Sequence, residues 1–349
     1  MCSGSVLVNH QRGYQWRGFL LGALLLVLLG CEVRDTPETK SWEPAKALVS
    51  AEVLDSLLRT GEPHLRIIEV SKARDYLAGH LPGAVNLWRP DYESQGEYPY
   101  EGMMASREAM EKLLGKLGVL PEDRLVLYDQ KGCADASRLR WILRQYGHPK
   151  VFLLDGEEYR WKQLGFSLDT STVAMTESSN YRFPESPRLS SAHFGDILLA
   201  LADTNHLLLD VRENYEFGGL PFRSGEKIHH FKAGASDAGS IPGAIHLNWS
   251  DAVDLAGDHR FKSPEDLRQL YEGVGVRPDK DIIVYCQSGV RSANTTFVLA
   301  ELLGYPRVRN YDGSWIEWSY YGKHGFHFPI ERHSDSTAVA LAYRALSEQ

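Results

Sequence analysis

The sequence predicts an α/β protein with two similar domains, each a mainly parallel sheet flanked by helices. Two observations support this fold class. Short apolar runs of strand length alternate with helical patterns, and the series occurs twice. The 349 residues suffice for two domains of ordinary size, and a content of 43% hydrophobic and 24% charged residues is typical of a chain with buried cores.

Four short apolar runs predict buried strands, namely residues 65–70, 125–128, 206–211 and 281–285. Helical patterns follow the second and fourth runs, over 137–143 and from Asn294 to Leu303, and Gly147 and Gly304 are natural helix ends. Strands that alternate with helices indicate a parallel sheet covered on both faces.

The two halves of the chain align with each other. Three pairs of segments match in the same order: 68–70 with 209–211, 81–84 with 241–244, and 126–132 with 283–289. The separation grows from 141 to 160 positions between the first and second pairs, so the second copy contains an insertion of 19 residues between Glu213 and Ser240. Repetition in one order predicts two homologous domains.

The predicted boundaries follow from this repeat and from the polar segments around it. They are a signal peptide over 1–30, a linker over 31–46, a first domain over 47–170, a second linker over 171–188, a second domain over 189–331 and a tail over 332–349.

The N-terminal segment predicts export. Arg12 and Arg17 precede a thirteen-residue apolar run over 18–30, which is too short to span a bilayer but fits the core of a signal peptide. The run ends at Cys31 in a pattern that resembles the lipobox of bacterial lipoproteins. That resemblance implies lipidation of Cys31 and attachment to a membrane on the periplasmic side of the cell envelope. A cleaved signal with an incidental cysteine, or a short membrane anchor, is the alternative.

The charge and the cysteines narrow the function. A formal net charge of −8 argues against nucleic-acid binding, and an anionic substrate would need a local positive site. Of the four cysteines, processing would remove Cys2 and lipidation would use Cys31, which leaves Cys133 and Cys286. A disulfide between these two would disable Cys286, so free thiols are expected at rest, with oxidative shut-off as an open alternative.

Cys286 lies where a predicted strand turns into a predicted helix. Ligands of α/β proteins bind at this edge of the sheet, and unpaired N–H groups at a helix start favour an anion. A thiol there is expected to ionise below the ~8.5 of an unperturbed cysteine. Gly289 allows a tight turn, and Arg291 supplies permanent positive charge. The segment therefore favours a reactive, sulfur-carrying cysteine over a core cysteine.

The spacing in this loop separates it from a related chemistry. Four residues lie between Cys286 and Arg291, whereas protein tyrosine phosphatases have five, which enclose a phosphate. The smaller loop suits a single sulfur atom on the cysteine and disfavours a phosphatase or an arsenate reductase.

The loop 286–291 resembles the active-site loop of the rhodanese family. Segments 210–212, 241–244 and 311–315 resemble other motifs of that family, and the similarity covers roughly residues 48–331. The resemblance implies two rhodanese-like domains with the second one active, because Asp129 stands at the cysteine position of the first. It also implies that Cys286 takes sulfur from a small donor as a persulfide and passes it to cyanide or a thiol, with no metal and no organic cofactor.

The resemblance and the loop together name the candidate site residues. Cys286 is the catalytic residue, and the candidate substrate-binding residues are Arg291, Gln287, Ser288, Gly289, Val290, Arg212 and Trp315. Arg212 could instead pair with an acid such as Glu216, and Trp315 could belong to the core. The insertion, with basic residues that include Lys227 and Lys232, either covers the pocket as a flexible positive lip or forms a solvated loop.

The donor and the acceptor stay partly open. A second arginine of the family, which would hold the carboxylate of 3-mercaptopyruvate, is replaced by Glu216, and this favours thiosulfate as the donor. The alternatives are a 3-mercaptopyruvate sulfurtransferase and a persulfide carrier that delivers sulfur to a partner protein with little turnover on small acceptors.

Overall fold

A computed structural model of the chain describes residues 47–172, 177–184 and 191–333. The predicted signal peptide and the whole of the first linker, which includes Cys31, lie outside the described residues. So do parts of the second linker and all but the first two residues of the tail. Within the described part of the chain, no helix is both long enough and apolar enough to cross a membrane.

The first domain contains a five-stranded parallel sheet with the strand order β1-β5-β4-β2-β3. Its elements are β1 (Leu48–Ser50), α1 (Ala51–Thr60), β2 (Leu65–Val70), α2 (Ala73–Ala78), β3 (Ala84–Leu87), α3 (Arg89–Tyr92), α4 (Arg107–Lys116), β4 (Arg124–Tyr128), α5 (Ala134–Gln145), β5 (Val151–Asp155) and α6 (Glu157–Gln163). Local signals set the helix ends: the Ser50 hydroxyl accepts the N–H of Val53 at the start of α1, and Gly61 ends α1 in the left-handed conformation.

The second domain repeats this sheet with the order β6-β12-β11-β7-β10, again parallel throughout. Its elements are β6 (Ser191–Ala192), α7 (Phe194–Ala200), β7 (His206–Asp210), α8 (Asn214–Gly218), the antiparallel hairpin β8 (Phe222–Ser224) and β9 (Lys227–His229), β10 (Ile245–His246), a 3₁₀ turn (Trp249–Ala252), α9 (Pro264–Gly273), β11 (Asp281–Tyr285), α10 (Val290–Phe297), a π-helical turn (Val298–Leu302), β12 (Val308–Tyr311), α11 (Ser314–Tyr321) and a second π-helical turn (Gly322–Phe326).

The two sheets confirm the predicted fold class. The four predicted strands form β2, β4, β7 and β11, and the central strands β4 and β11 are apolar and buried, as parallel strands covered on both faces must be. The carboxyl end of β11 leads into Cys286, and that of β4 leads into Asp129. The duplication therefore places the cysteine and the aspartate at equivalent positions in the two domains.

The helix after Cys286 begins earlier than the sequence predicts. Asn294 was the expected start, but α10 begins at Val290, directly after Gly289. Gly289 adopts a left-handed conformation with φ of 78°, which reverses the chain in one residue and lets the helix start at once. The cysteine loop is therefore reduced to residues 286–289.

The two domains share one hydrophobic core. Helices α5 and α10 pack against each other, and buried residues of both domains, such as Leu139 and Phe297, belong to one continuous apolar cluster. Residues 177–184 of the predicted second linker lie on the first domain, with Tyr181 and Phe183 buried. The first domain is thus packed directly behind the helix that starts at the cysteine loop.

Candidate active site

Cys286 lies at the end of β11, and its side chain is only 1% exposed. The Ser314 hydroxyl accepts the N–H groups of Cys286 and Gly289, each at 3.1 Å, and donates to the carbonyl oxygen of Tyr311 at 2.7 Å. The first N–H groups of α11 complete the closure: Trp315 N–H donates to the carbonyl of Cys286 at 3.0 Å. The downstream motif thereby fixes the shape of the cysteine loop.

The surroundings of Cys286 favour its thiolate. Burial alone would raise the pKa of the thiol, but the charge of Arg291 and hydrogen bonds from Ser292 and from the N–H of Ser288 outweigh it, so the pKa is lowered. The Ser292 hydroxyl lies 3.5 Å from Sγ. Such donors and a nearby guanidinium favour the nucleophilic thiolate form of a cysteine. Sequence reasoning missed Ser292, because its role appears only when α10 starts at Val290.

Arg291 does not present an unpaired charge. Its two terminal nitrogens bind both oxygens of Glu216, at 2.6 and 2.9 Å, and Glu213 lies 3.7 Å away. Burial would raise the pKa of Glu216, but the hydrogen bonds and the charge of Arg291 dominate and lower it to about 2. Glu216 is therefore ionised throughout the neutral range. Its negative charge balances the positive charge of Arg291 that the sequence predicts for binding an anionic substrate.

Arg212 is also paired, but with a different acid from the one expected. The predicted structural partner was Glu216, and this is wrong: the guanidinium binds both oxygens of Asp210, at 2.9 to 3.0 Å from Nε and 2.5 Å from Nη2, and donates to the carbonyl of Gly239. Asp210 and Arg212 are only two residues apart at the end of β7, so this ion pair forms within one short segment. Glu216, one helical turn further on, points instead to Arg291.

A small cavity lies beside the cysteine loop. Of the predicted substrate-binding residues, Gln287, Arg212 and Trp315 line it. The rest of the lining comes from the insertion and its flanks: Tyr215, Glu216, Gly219, Leu220, Phe222, His230, Phe231, Lys232, Asp237 and Ala238. Trp315 lines the cavity and also belongs to the apolar core, where it is 1% exposed. Its indole N–H donates to the carbonyl of Asp237.

The other predicted residues form the loop behind this cavity. Gly289 and the side chain of Val290 are buried in the packing of α10, so Val290 can meet a substrate only through its backbone. Ser288 is half-buried and contacts the first domain, since a Cβ on Gly102 would lie 2.7 Å from the Cβ of Ser288. The side chains of Val290 and Ser288 and the backbone of Gly289 thus contribute to the shape of the loop.

The equivalent loop of the first domain is filled by its own carboxylate. Asp129 accepts the N–H groups of Lys131, Cys133 and Ala136, at 2.7, 3.1 and 3.0 Å. Glu157, which corresponds to Ser314, also accepts the N–H of Cys133. These are the donors that would otherwise hold an anion, and a carboxylate cannot carry sulfane sulfur. The first domain therefore has no vacant cradle at this position.

Cys133 has the opposite environment to Cys286. Its thiol is buried, and burial together with the charges of Glu157 and Asp129 raises its pKa well above the ordinary value. Cys133 and Cys286 are both free thiols in the described structure. The prediction of an inert thiol in the first domain agrees with this environment.

The first domain also supports the cysteine loop from behind. Arg138 of α5 forms an ion pair with Asp312 at 2.5 Å, and both side chains are buried. Asp312 accepts the N–H of Met104, and a Cβ on Gly289 would lie 2.6 Å from Nη1 of Arg138. The guanidinium of one domain therefore packs against the cysteine loop of the other. Sequence reasoning missed this contact, because no local pattern joins residues so distant in the chain.

Two duplicated parallel sheets and a lowered-pKa thiol at a strand end define a class of protein that carries sulfur on cysteine. The rhodanese-like domain family matches residues 50–164 and 195–320. The chain belongs to this family.

Curated relatives and solved structures resemble the chain over most of its length. The "Sulfur carrier protein TtuD" of Thermus thermophilus is 36% identical over 265 residues, which cover 74% of this chain and 88% of the relative. The "Thiosulfate sulfurtransferase" of Corynebacterium glutamicum is 36% identical over 290 residues, covering 81% and 90%. The anaerobic ergothioneine biosynthesis enzyme of Chlorobium limicola, solved with trimethyl histidine, shares the fold with a TM-score of 0.70 at 24% identity, covering 83% and 71%.

Proposed function

We propose that this chain is a thiosulfate sulfurtransferase that works through Cys286. The observation that supports it most strongly is the thiol of Cys286, whose pKa is lowered by Arg291, Ser292 and loop N–H groups in spite of its burial. The same donors that stabilise a thiolate stabilise a persulfide anion. The relative in Corynebacterium glutamicum, named a thiosulfate sulfurtransferase, supports the donor.

The proposed reaction is a double displacement. The Cys286 thiolate attacks the outer sulfur of thiosulfate; a new bond forms from Sγ to that sulfur, the sulfur–sulfur bond of the donor breaks, and its electron pair leaves with sulfite. Cyanide or an acceptor thiolate then attacks the outer sulfur of the Cys286 persulfide. Thiocyanate or an acceptor persulfide leaves, and the electron pair of the broken bond returns to Sγ. Charge and sulfur balance in both steps without any cofactor.

The ion pairs at the site favour thiosulfate over 3-mercaptopyruvate. Arg212 and Arg291 each bind a carboxylate of the protein with two nitrogens. A substrate carboxylate would have to displace Asp210 or Glu216 to gain a guanidinium clamp, and this is costly for buried pairs. A compact inorganic dianion needs no such clamp.

A persulfide carrier is the second candidate. The relative from Thermus thermophilus, named a sulfur carrier protein, favours it, and the same Cys286 chemistry would serve. In that role the acceptor is a protein thiol, and turnover with cyanide is slow.

Steady-state kinetics with the two donors test the proposal. The wild-type protein is expected to form thiocyanate from thiosulfate and cyanide, with kcat/KM at least about tenfold above that for 3-mercaptopyruvate. The opposite preference would overturn the choice of donor. Slow turnover with both donors, together with rapid transfer to a protein thiol, would favour the carrier.

We further propose that the protein is exported and anchored by lipid at Cys31, on the periplasmic side of the cell envelope. Support comes from the apolar run over 18–30 and the cysteine that follows it. The full-length protein is expected in the membrane fraction, and the Cys31→Ser variant in a soluble fraction or unprocessed. Membrane association with no lipid on Cys31 would contradict the anchor.

A further inference from the structure

The end of the insertion is fixed over the active site. Three hydrogen bonds join residues 232–239 to the cysteine loop and α11: Gln287 Nε2 to the carbonyl of Ala233 at 3.2 Å, Ser236 N–H to the Ser319 hydroxyl at 3.1 Å, and Trp315 Nε1 to the carbonyl of Asp237 at 3.0 Å. The expected alternatives were a flexible lip or a solvated loop. This part of the insertion is instead pinned, so a side chain that it carries has a defined position at the cavity.

Lys232 opens this pinned segment and lines the cavity together with Gln287. Its ammonium nitrogen lies 3.7 Å from Glu216, whose oxygens are already bound at 2.6 and 2.9 Å by Arg291. The Lys232 side chain is 42% exposed, against 11% for Arg291. Arg291 is therefore hydrogen-bonded to Glu216, whereas the ammonium of Lys232 lies beyond hydrogen-bond distance from Glu216 and belongs to a residue that lines the cavity.

The charges explain why a cation is needed here. Arg291 and Lys232 carry two positive charges, and Glu216 and the more distant Glu213 carry two negative ones. The ionised Cys286 adds a third negative charge. A dianionic donor that approaches this thiolate meets repulsion, which a nearby ammonium offsets. Burial lowers the pKa of Lys232 and Arg291 lowers it further, while Glu216 and Cys286 act in the opposite direction. An anion bound in the cavity would reduce the electrostatic repulsion between Lys232 and Arg291.

We propose that Lys232 is the donor-binding residue of this site, whose ammonium binds the sulfonate oxygens of an anionic sulfur donor while the outer sulfur faces Cys286. The choice of donor rests on the proposed function. Because Glu216 balances the charge of Arg291, the positive charge that meets the donor comes from the insertion, through Lys232.

Donor kinetics give the first test. The Lys232→Gln variant is expected to raise the KM for thiosulfate about tenfold or more while kcat changes by less than about threefold, because the lost contact precedes the chemical step. Lys232→Arg should restore most of the affinity. The matched control is Lys227→Gln, which removes an exposed lysine from β9 of the same insertion and should leave KM unchanged. An unchanged KM in Lys232→Gln, or an equal rise in Lys227→Gln, would overturn the assignment.

Alkylation of Cys286 gives a second test that does not depend on turnover. Iodoacetate and iodoacetamide differ mainly in charge, and the modified Cys286 peptide can be quantified by mass spectrometry in the full-length protein. The rate with iodoacetate divided by the rate with iodoacetamide is expected to fall about fivefold in Lys232→Gln, because only the anionic reagent is attracted by the ammonium. The same ratio should stay at the wild-type value in Lys227→Gln. A constant ratio in both variants would overturn the role of Lys232 even if thiosulfate is a substrate. Wild-type protein without thiosulfate activity, but with the expected change in ratio, would overturn the proposed function alone.

Discussion

Replacing Cys286 with alanine is expected to lower sulfur transfer from thiosulfate by at least about 10⁴-fold, because the covalent intermediate has no other place to form. The other described thiol, Cys133, is buried among Glu157 and Asp129, and its pKa is raised. The equivalent anion cradle of the first domain is occupied by Asp129. Thiocyanate production by the Cys286→Ala variant, compared with wild type at equal concentration, measures the effect.

A matched control uses the second cysteine. Cys133→Ala removes a buried thiol from the first domain and should leave kcat/KM for thiosulfate within about twofold of wild type. Retained transfer in Cys286→Ala, or loss of transfer in Cys133→Ala with an unchanged fold, would contradict the assignment of the transferred sulfur to Cys286.

Replacing Arg138 with methionine is expected to destabilise the protein by about 3–5 kcal/mol, because it leaves the buried carboxylate of Asp312 without its counter-charge. The two side chains are 0% and 3% exposed, so water cannot replace the lost partner. Chemical denaturation measures the loss. The activity should fall as well, by about tenfold in kcat/KM, because the guanidinium packs against Gly289 and holds the loop whose N–H groups face the thiolate.

A second ion pair between the domains provides the control for Arg138. Arg140 binds Glu301 at 2.5 Å, but Glu301 is 34% exposed and lies on the helical segment beyond α10, away from the cysteine loop. Arg140→Met should therefore reduce stability by less than Arg138→Met and leave kcat/KM unchanged. An equal fall in kcat/KM in the two variants would show that Arg138 acts only by holding the domains together. An unchanged kcat/KM in Arg138→Met would refute the support of the cysteine loop by Arg138.

The sequence predicts those parts of the fold that are encoded locally. Strands β2, β4, β7 and β11 follow from apolar runs that must be buried, and the repeat alone implies that Asp129 and Cys286 occupy equivalent positions. The start of α10 could not be placed, because the helical pattern is clear only from Asn294 and the early start depends on the left-handed Gly289.

The site residues that sequence reasoning missed depend on contacts between distant segments. Glu216 was recognised as a departure from a family arginine, but its partner is decided by the direction of α8, which points it to Arg291 instead of Arg212. Ser314 lies within a recognised motif, yet its role in closing the cysteine loop appears only in three dimensions. A sequence shows which charged residues a site contains. Only the fold shows which of these charges are paired within the protein and which remain available to bind a substrate.

The most direct test of sulfur transfer through Cys286 is the mass of the Cys286 peptide after the full-length protein has reacted with thiosulfate and been trapped with a thiol-alkylating reagent. One additional sulfur atom is expected on Cys286 and none on Cys133, and the additional sulfur should be absent when cyanide is added before the trapping reagent. An unmodified Cys286 after complete reaction, or sulfur found on Cys133, would contradict it.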